Sequence, residues 1–260
     1  SYGSILGTTE DVLQHGTKMA GIVSEINDEI KLMSLAVSAY GDEHDKDIAL
    51  AIRYAVDNGA QVINMSFYKE YSLRKEWVLE AIKYAEDENV LVVSIAGNDG
   101  LNLNEVDKFP NDRLTDGSEV ADNFMLVGAS NYKVDKFIKL DYSSYGSIDV
   151  DIFAPGTDIH TTLPKNKYTE DSNGTSSAGA ITSGVAALIR SYYPDLTASQ
   201  VKHILMDSGI EYTLEVSTPT EEDPDKTTPF NQLSKSGKVL NAYNALLMAE
   251  RISKGKRKGK

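Results

Sequence analysis

The sequence predicts a three-layer α/β protein, a mostly parallel sheet with helices on both faces. Two observations predict it. Short apolar runs such as 61–66 (QVINMS) and 90–95 (VLVVSI) alternate with segments of helical period. Strands that are apolar on both sides belong in a parallel sheet that is covered twice. Further on, 175–191 is a helix-length run with small residues on every side, the pattern of a central, buried helix.

Each element follows in order. A short apolar run, 31–37, precedes a helix over 45–58, whose Ile48, Ala51, Ile52, Ala55 and Val56 share one face, with Gly59 as its stop. After the strand at 61–66, a second helix over 73–87 aligns Trp77, Val78, Ala81, Ile82 and Ala85. Strands at 90–95, 124–129 and 150–153 come next, then the buried helix. Thr197-Ala-Ser-Gln200 is a capping box opening a helix with Val201, Ile204 and Leu205. The polar stretch 213–232 reads as a surface loop, and 240–251 as a last amphipathic helix. The expected organisation is one domain over 1–253 and a solvated basic tail over 254–260.

Composition narrows the function classes. The chain has 260 residues, 41% hydrophobic and 25% charged, which excludes a disordered protein; 19 Gly and 7 Pro exclude collagen-like chains. No run approaches the roughly 18 apolar residues of a membrane span. With 26 basic against 39 acidic residues the net charge is −13, which argues against a nucleic-acid surface. The expectation is a partner that is neither nucleic acid nor membrane. The absence of cysteine excludes thiol catalysis, thiolate metal sites and disulfides. Ser1, not Met, begins the chain, so the sequence reads as a product whose leader was removed or as a fragment.

Chemistry-bearing residues are few. Of four histidines, His44, His160 and His203 read as an exposed turn residue, a strand-end residue and a helix-surface residue. His15, in a polar loop entering a small-residue helix, is either solvated or functional. Ser176 follows Gly174-Thr175 at the first turn of the buried helix, where a hydroxyl and an unpaired backbone N–H meet the positive end of the dipole. Helix capping explains the same residues. Asn98 closes a buried strand, where a parallel sheet places its ligands; a plain Asn-Asp-Gly turn is the other reading.

Taken together, His15-Gly-Thr-Lys-Met-Ala-Gly21, Ala96-Gly-Asn98 and Gly174-Thr-Ser176-Ser-Ala178, in that order, resemble the motifs of the subtilisin-like serine peptidases, the subtilases. Val62-Ile-Asn-Met-Ser66 looks like the family's substrate-binding strand, and Phe109-Pro110 like its aromatic-proline step, which implies a cis peptide bond. Tyr142-Ser-Ser-Tyr-Gly146 and Val150-Asp-Ile-Phe-Ala-Pro-Gly156 look like the strands leading to the nucleophile, and Gly237-Lys-Val-Leu-Asn-Ala242 matches the usual last helix. The resemblance implies a secreted serine endopeptidase, extracellular or in the cell envelope, acting on protein or peptide substrates. It makes Ser176 the nucleophile of an acyl-enzyme, His15 the general base and then acid, and Asn98 an oxyanion donor beside the Ser176 N–H. Backbone groups of Ser66, Phe67 and Tyr68 would pair with the peptide as an added strand, with Ala96 and Gly97 also in the substrate-binding set.

The sequence departs from that pattern in places. The family's catalytic aspartate ends a strand, in Asp-Ser-Gly or Asp-Thr-Gly, well before the histidine. Among the fourteen residues before His15 the one aspartate is Asp11, outside such a motif, and it is assigned no role. The aspartate is therefore expected on an upstream segment or a second chain, with residues 1–260 alone inactive. Ser177, Ala180 and Lys18 replace the usual methionine, proline and histidine, and Tyr68 stands where a glycine normally lines the primary specificity pocket. The rival is a catalytically silent subtilase-fold protein that binds peptides or partners in the same cleft. A nucleotide-binding α/β protein is disfavoured, because no Gly-rich phosphate loop follows a strand. No cofactor is expected. Related proteases bind calcium, and 42–47 is acidic, but no 12-residue ligand pattern exists and no metal residue is assigned.

Overall fold

A computed structural model describes residues 10–38 and 43–258. The chain runs α1 (Glu10–Ile26), α2 (Asp45–Asp57), β1 (Val62–Asn64), α3 (Lys75–Asp87), β2 (Leu91–Ile95), β3 (Phe124–Ser130) and β4 (Ile152–Pro155). There follow a hairpin, β5 (Ile159–Leu163) and β6 (Lys167–Ser172), then α4 (Thr175–Tyr192), α5 (Ala198–Ser208) and β7 (Ile210–Glu211). A second hairpin, β8 (Glu215–Ser217) and β9 (Thr227–Pro229), leads to β10 (Lys238–Val239) and α6 (Ala242–Lys258).

The main sheet has the order β1-β2-β3-β4-β10-β7, parallel throughout except for β7. Alternation along its central strands sorts the core into two layers. Val92, Phe124, Leu126 and Phe153 pack with Ile48, Ile52, Val78 and Ile82 of α2 and α3. Leu91, Val93, Met125 and Val127 face Ala178, Val185 and Ile189 of α4, with α5 and α6 beyond. Each fully buried side chain of this size contributes roughly 1.5–3 kcal/mol. Hence all of β2 and β3 is buried, as continuous apolar runs require.

Small residues let neighbouring elements approach. A Cβ at Gly128 would lie 2.5 Å from the Phe153 ring, and one at Gly179 of α4 would lie 2.7 Å from Ile95 of β2. The capping box at Thr197 and Gln200 is present in both directions, Gly59 stops α2 at φ +83°, and Phe109-Pro110 is cis.

The apolar run 31–37 is neither helix nor strand, and Leu32 and Met33 are exposed. Three expectations need correction. The 213–232 stretch is not plain surface loop: β8, β9 and a 3-10 turn (Phe230–Gln232) bury Val216, Thr218 and Phe230. His15 lies inside α1, which begins at Glu10, rather than in a loop before a helix. The basic segment from Lys254 continues α6 through Lys258.

Candidate active site

Three carboxyl-end features of the sheet converge: the extensions of β1 and β2 and the N-terminus of α4. Gly174 caps α4 at φ +120°, a conformation that side chains rarely adopt. A Cβ there would also stand 3.3 Å from the Asn98 Oδ1. Glycine is therefore required twice over, by conformation and by contact.

Behind that glycine, Thr175 clamps Asn98. The Thr175 N–H and Oγ1 both donate to the Asn98 Oδ1, at 2.9 and 3.0 Å. With its carbonyl oxygen so engaged, the amide presents Nδ2, which donates no hydrogen bond among the described residues. Thr175 is fully buried while Asn98 is exposed, so the amide is held from inside and faces outward.

Ser176 and the end of β1 hold each other. The Ser176 Oγ donates to the Ser66 carbonyl (3.3 Å), and the Ser66 Oγ donates to the Ser176 carbonyl (3.1 Å). Asn64 Nδ2 donates to the Ser66 Oγ (2.8 Å), and Ser183 Oγ to the Asn64 Oδ1 (2.9 Å). This chain ties Ser176 and Ser183, two turns apart on α4, to β1 and its extension.

His15 arrives on α1, which packs against α4 and β5. Hydroxyls of Thr161 and Thr162 donate to the carbonyls of Lys18 and Thr17 (2.7 and 2.9 Å). Ala180 of α4 shares a cluster with Met19, Ile22 and Val23, and a Cβ at Gly184 would meet Ile26 at 2.6 Å. The two helices thus run in the same direction. His15 precedes Met19 by one turn and Ser176 precedes Ala180 by one turn, which puts both at the same end of the helix pair. His15 is half-buried; burial, and then the Lys18 charge, hold its pKa below the ordinary imidazole value. Among the described residues no hydrogen bond joins His15 to Ser176 or to a carboxylate. Asp11 lies in the first turn of α1, its side chain outside the described residues.

On the substrate side, the Tyr68 ring lies across Gly97. A Cβ there would be 3.1 Å from Tyr68 Cδ2 and Cε2. Of the other histidines, His44 precedes α2 and is exposed, His160 stacks on Tyr168 at 5.5 Å, and His203 pairs with Asp122 at 3.0 Å. In the acidic stretch, Asp45 is committed to Lys69 (2.5 Å), Ser72 and the Arg74 N–H. Asp42 is outside the described residues, which include no group of three or more potential metal ligands. Ser66, Asn64 and Thr175 escaped sequence reasoning in these supporting roles. The Asn-Met-Ser and Gly-Thr-Ser motifs were the available signals.

The Subtilase family profile matches residues 6–239, and the chain belongs to that family. It is 31% identical over 248 residues to the thermophilic serine proteinase of Bacillus sp. (strain AK1), covering 91% of this chain and 53% of that protein. It is 32% identical over 206 residues to subtilisin DY of Bacillus licheniformis, covering 75% of this chain and 70% of that one. Among solved structures, a lanthipeptide protease superposes with a TM-score of 0.68 at 27% identity, over 90% of this chain and 75% of the other. The chain thus spans about half of the first relative and under three quarters of the second.

Proposed function

We propose that the protein is a secreted serine endopeptidase with Ser176 as nucleophile. His15 accepts the Ser176 hydroxyl proton as Oγ attacks the scissile carbonyl carbon. The resulting oxyanion receives the Asn98 Nδ2–H and the Ser176 N–H. The intermediate collapses, the C–N bond breaks, and the imidazolium returns its proton to the leaving amine. A water then repeats the sequence to release the acid and regenerate Ser176.

The carrying observation is the Thr175–Asn98 clamp, which leaves an amide donor preorganised beside a serine at a helix N-terminus. The lowered pKa of His15 keeps it in the neutral form that a base needs. Similarity to subtilisin DY of Bacillus licheniformis supports the location.

The acid that orients His15 comes, in this proposal, from an upstream segment laid against the outer side of β1. Among the described residues that strand ends the sheet, and it is half-exposed, whereas β2 and β3 are fully buried. An open edge on a buried-type strand is a template for another strand. The test is a fluorophosphonate probe on the protein with its upstream sequence. Label should map to Ser176, persist in Ser177→Ala and vanish in Ser176→Ala. Absence of label on the extended protein favours the silent peptide-binding alternative.

A further inference from the structure

The Tyr68 ring occupies a space that the proposed reaction needs. A carbonyl attacked by Ser176, with its oxygen toward Asn98 Nδ2, lies above the gap between two segments. One wall is 66–68, beginning at the Ser66 carbonyl that receives the Ser176 hydroxyl. The other is 96–98, continuing β2. These walls start as paired strands, with Asn64 opposite Val93 and the Met65 N–H bonded to the Val93 carbonyl at 2.8 Å. The pairing ends there, and a Cβ at Gly179 of α4 would lie 2.7 Å from Ile95 and 3.7 Å from Asn64, so α4 closes the third side. The side chain of the residue that donates the acyl group falls between them.

Tyr68 bridges that gap and is fixed at both ends. Its ring lies on Gly97, close enough that a Cβ would be 3.1 Å away. Its hydroxyl donates to Asp99 Oδ1 at 3.0 Å. Asp99 Oδ2 pairs with Lys108 Nζ at 2.8 Å, and Lys108, 7% exposed, also lies 3.4 Å from Glu70 and 5.5 Å from the Tyr68 ring centroid. The next residue's backbone is locked as well: the Lys69 N–H and carbonyl pair with Phe109 at 2.8 and 3.0 Å. Swinging the ring away would break the hydroxyl bond to a carboxylate and uncover a nearly buried ammonium, both costly.

Building on the proposed hydrolase, we infer that Tyr68 is a specificity-determining residue. It fills the space for the side chain preceding the cleaved bond and restricts that residue to Gly, Ala or Ser. The substrate class is accordingly peptides with a small residue at that position. Larger side chains meet the ring.

The experiment measures kcat/KM on matched peptides with Ala or Phe before the cleaved bond, using the full-length protein. Labelling of Ser176 by an alkyl fluorophosphonate is recorded in parallel. The native protein should prefer Ala by at least about 100-fold. Tyr68→Gly should raise the ratio of kcat/KM for the Phe peptide to that for the Ala peptide at least about 100-fold. Tyr68→Phe keeps the ring but loses the hydroxyl bond to Asp99, and should relax the preference by about 10-fold at most. Asp99→Ala, which frees the hydroxyl end while retaining Tyr68, should relax the preference about 10-fold and serves if Tyr68→Gly does not fold. A labelled native protein that cleaves after Phe as well as after Ala overturns the inference, as does an unaltered ratio in the folded variants. A protein that neither labels nor cleaves overturns the hydrolase proposal itself.

Discussion

Ser66 and Ser176 exchange hydrogen bonds, each hydroxyl donating to the other's carbonyl at 3.3 and 3.1 Å. In the resting state the Ser176 hydroxyl is therefore turned toward β1, and it must rotate to give its proton to His15. The same pair couples the helix start to the strand that would receive substrate. Ser66→Ala removes the bond to the Ser176 carbonyl and strands the Asn64 amide. A cost of about 1 kcal/mol follows for a hydrogen bond of this kind, a fall of roughly 2–4 °C in Tm. Calorimetry of the variant checks it, with an unchanged Tm as the contrary result.

The Thr175–Asn98 clamp separates two effects that a single substitution would merge. Asn98→Ala removes the donor and should lower kcat by about 10²–10³ with little change in KM, the loss measured for such a donor in a subtilisin of this family. Thr175→Val keeps the backbone N–H bond to Asn98 and deletes only the Oγ1 bond. Its loss should be smaller, about 3–10-fold, of the order of one neutral hydrogen bond. Equal losses in the two variants would mean that the hydroxyl alone aims the amide.

The division between what could be read from the sequence and what could not follows the range of the interactions. The Thr197 capping box spans three residues, and α4 shows its burial in its own composition, so both were readable. Strand β1 is shorter than its apolar run because Ser66 turns toward Ser176, 110 residues away. The 31–37 run is apolar but pairs with no strand among the described residues. Polar flanks around 213–232 hide Val216 and Phe230, single apolar residues that reach the core. At the site, His15, Asn98 and Ser176 sit in recognisable motifs. The Thr175 clamp spans 77 residues and the Tyr68–Asp99–Lys108 contacts span 31 and 9, distances over which no local pattern speaks.

Close packing between β3 and β4 gives a stability test away from the site. Gly128→Ala would put a methyl 2.5 Å from the Phe153 ring, with Phe153 fully buried. Overpacking of this type costs about 1–3 kcal/mol. Phe153→Leu alone should also destabilise, by leaving space. The double variant should be more stable than the sum of the two losses predicts, because the smaller side chain accommodates the methyl. Denaturant unfolding of all four proteins measures the coupling, and additive losses would contradict the contact.

Asp112 makes stability depend on pH. It is buried, its Oδ2 has no hydrogen-bond partner among the described residues, and burial, with Asp151 and Glu119 nearby, raises its pKa to about 7 despite Lys202 and Lys235. An acid with a raised folded pKa binds its proton more tightly when folded. Below its unfolded value near 4 both states are protonated and nothing is lost. As pH rises toward 7 the folded state is penalised progressively, by up to about 4 kcal/mol above that. Asp112→Asn should therefore match the native protein near pH 4 and exceed its Tm by several degrees at pH 8. A Tm difference that is constant with pH would remove Asp112 as the cause.

The last test concerns the acidic partner of His15. Alone, the described chain leaves the imidazole with a pKa lowered by burial and by Lys18, and no carboxylate bonded to it. A carboxylate brought to the ring would raise that pKa and fix the tautomer with its free nitrogen toward Ser176. Loss of the aspartate in a subtilisin costs roughly 3 × 10⁴ in turnover. Residues 1–260 alone should accordingly show at most trace hydrolysis, and the protein extended upstream should recover it by at least about 10⁴-fold. NMR titration of His15 supplies a readout independent of turnover: below the ordinary value near 6.5 in the short chain, and higher in the extended one. Turnover near 10 s⁻¹ by the short chain would place the third role within it. Asp11, one turn before His15 on α1, would then be the residue to replace.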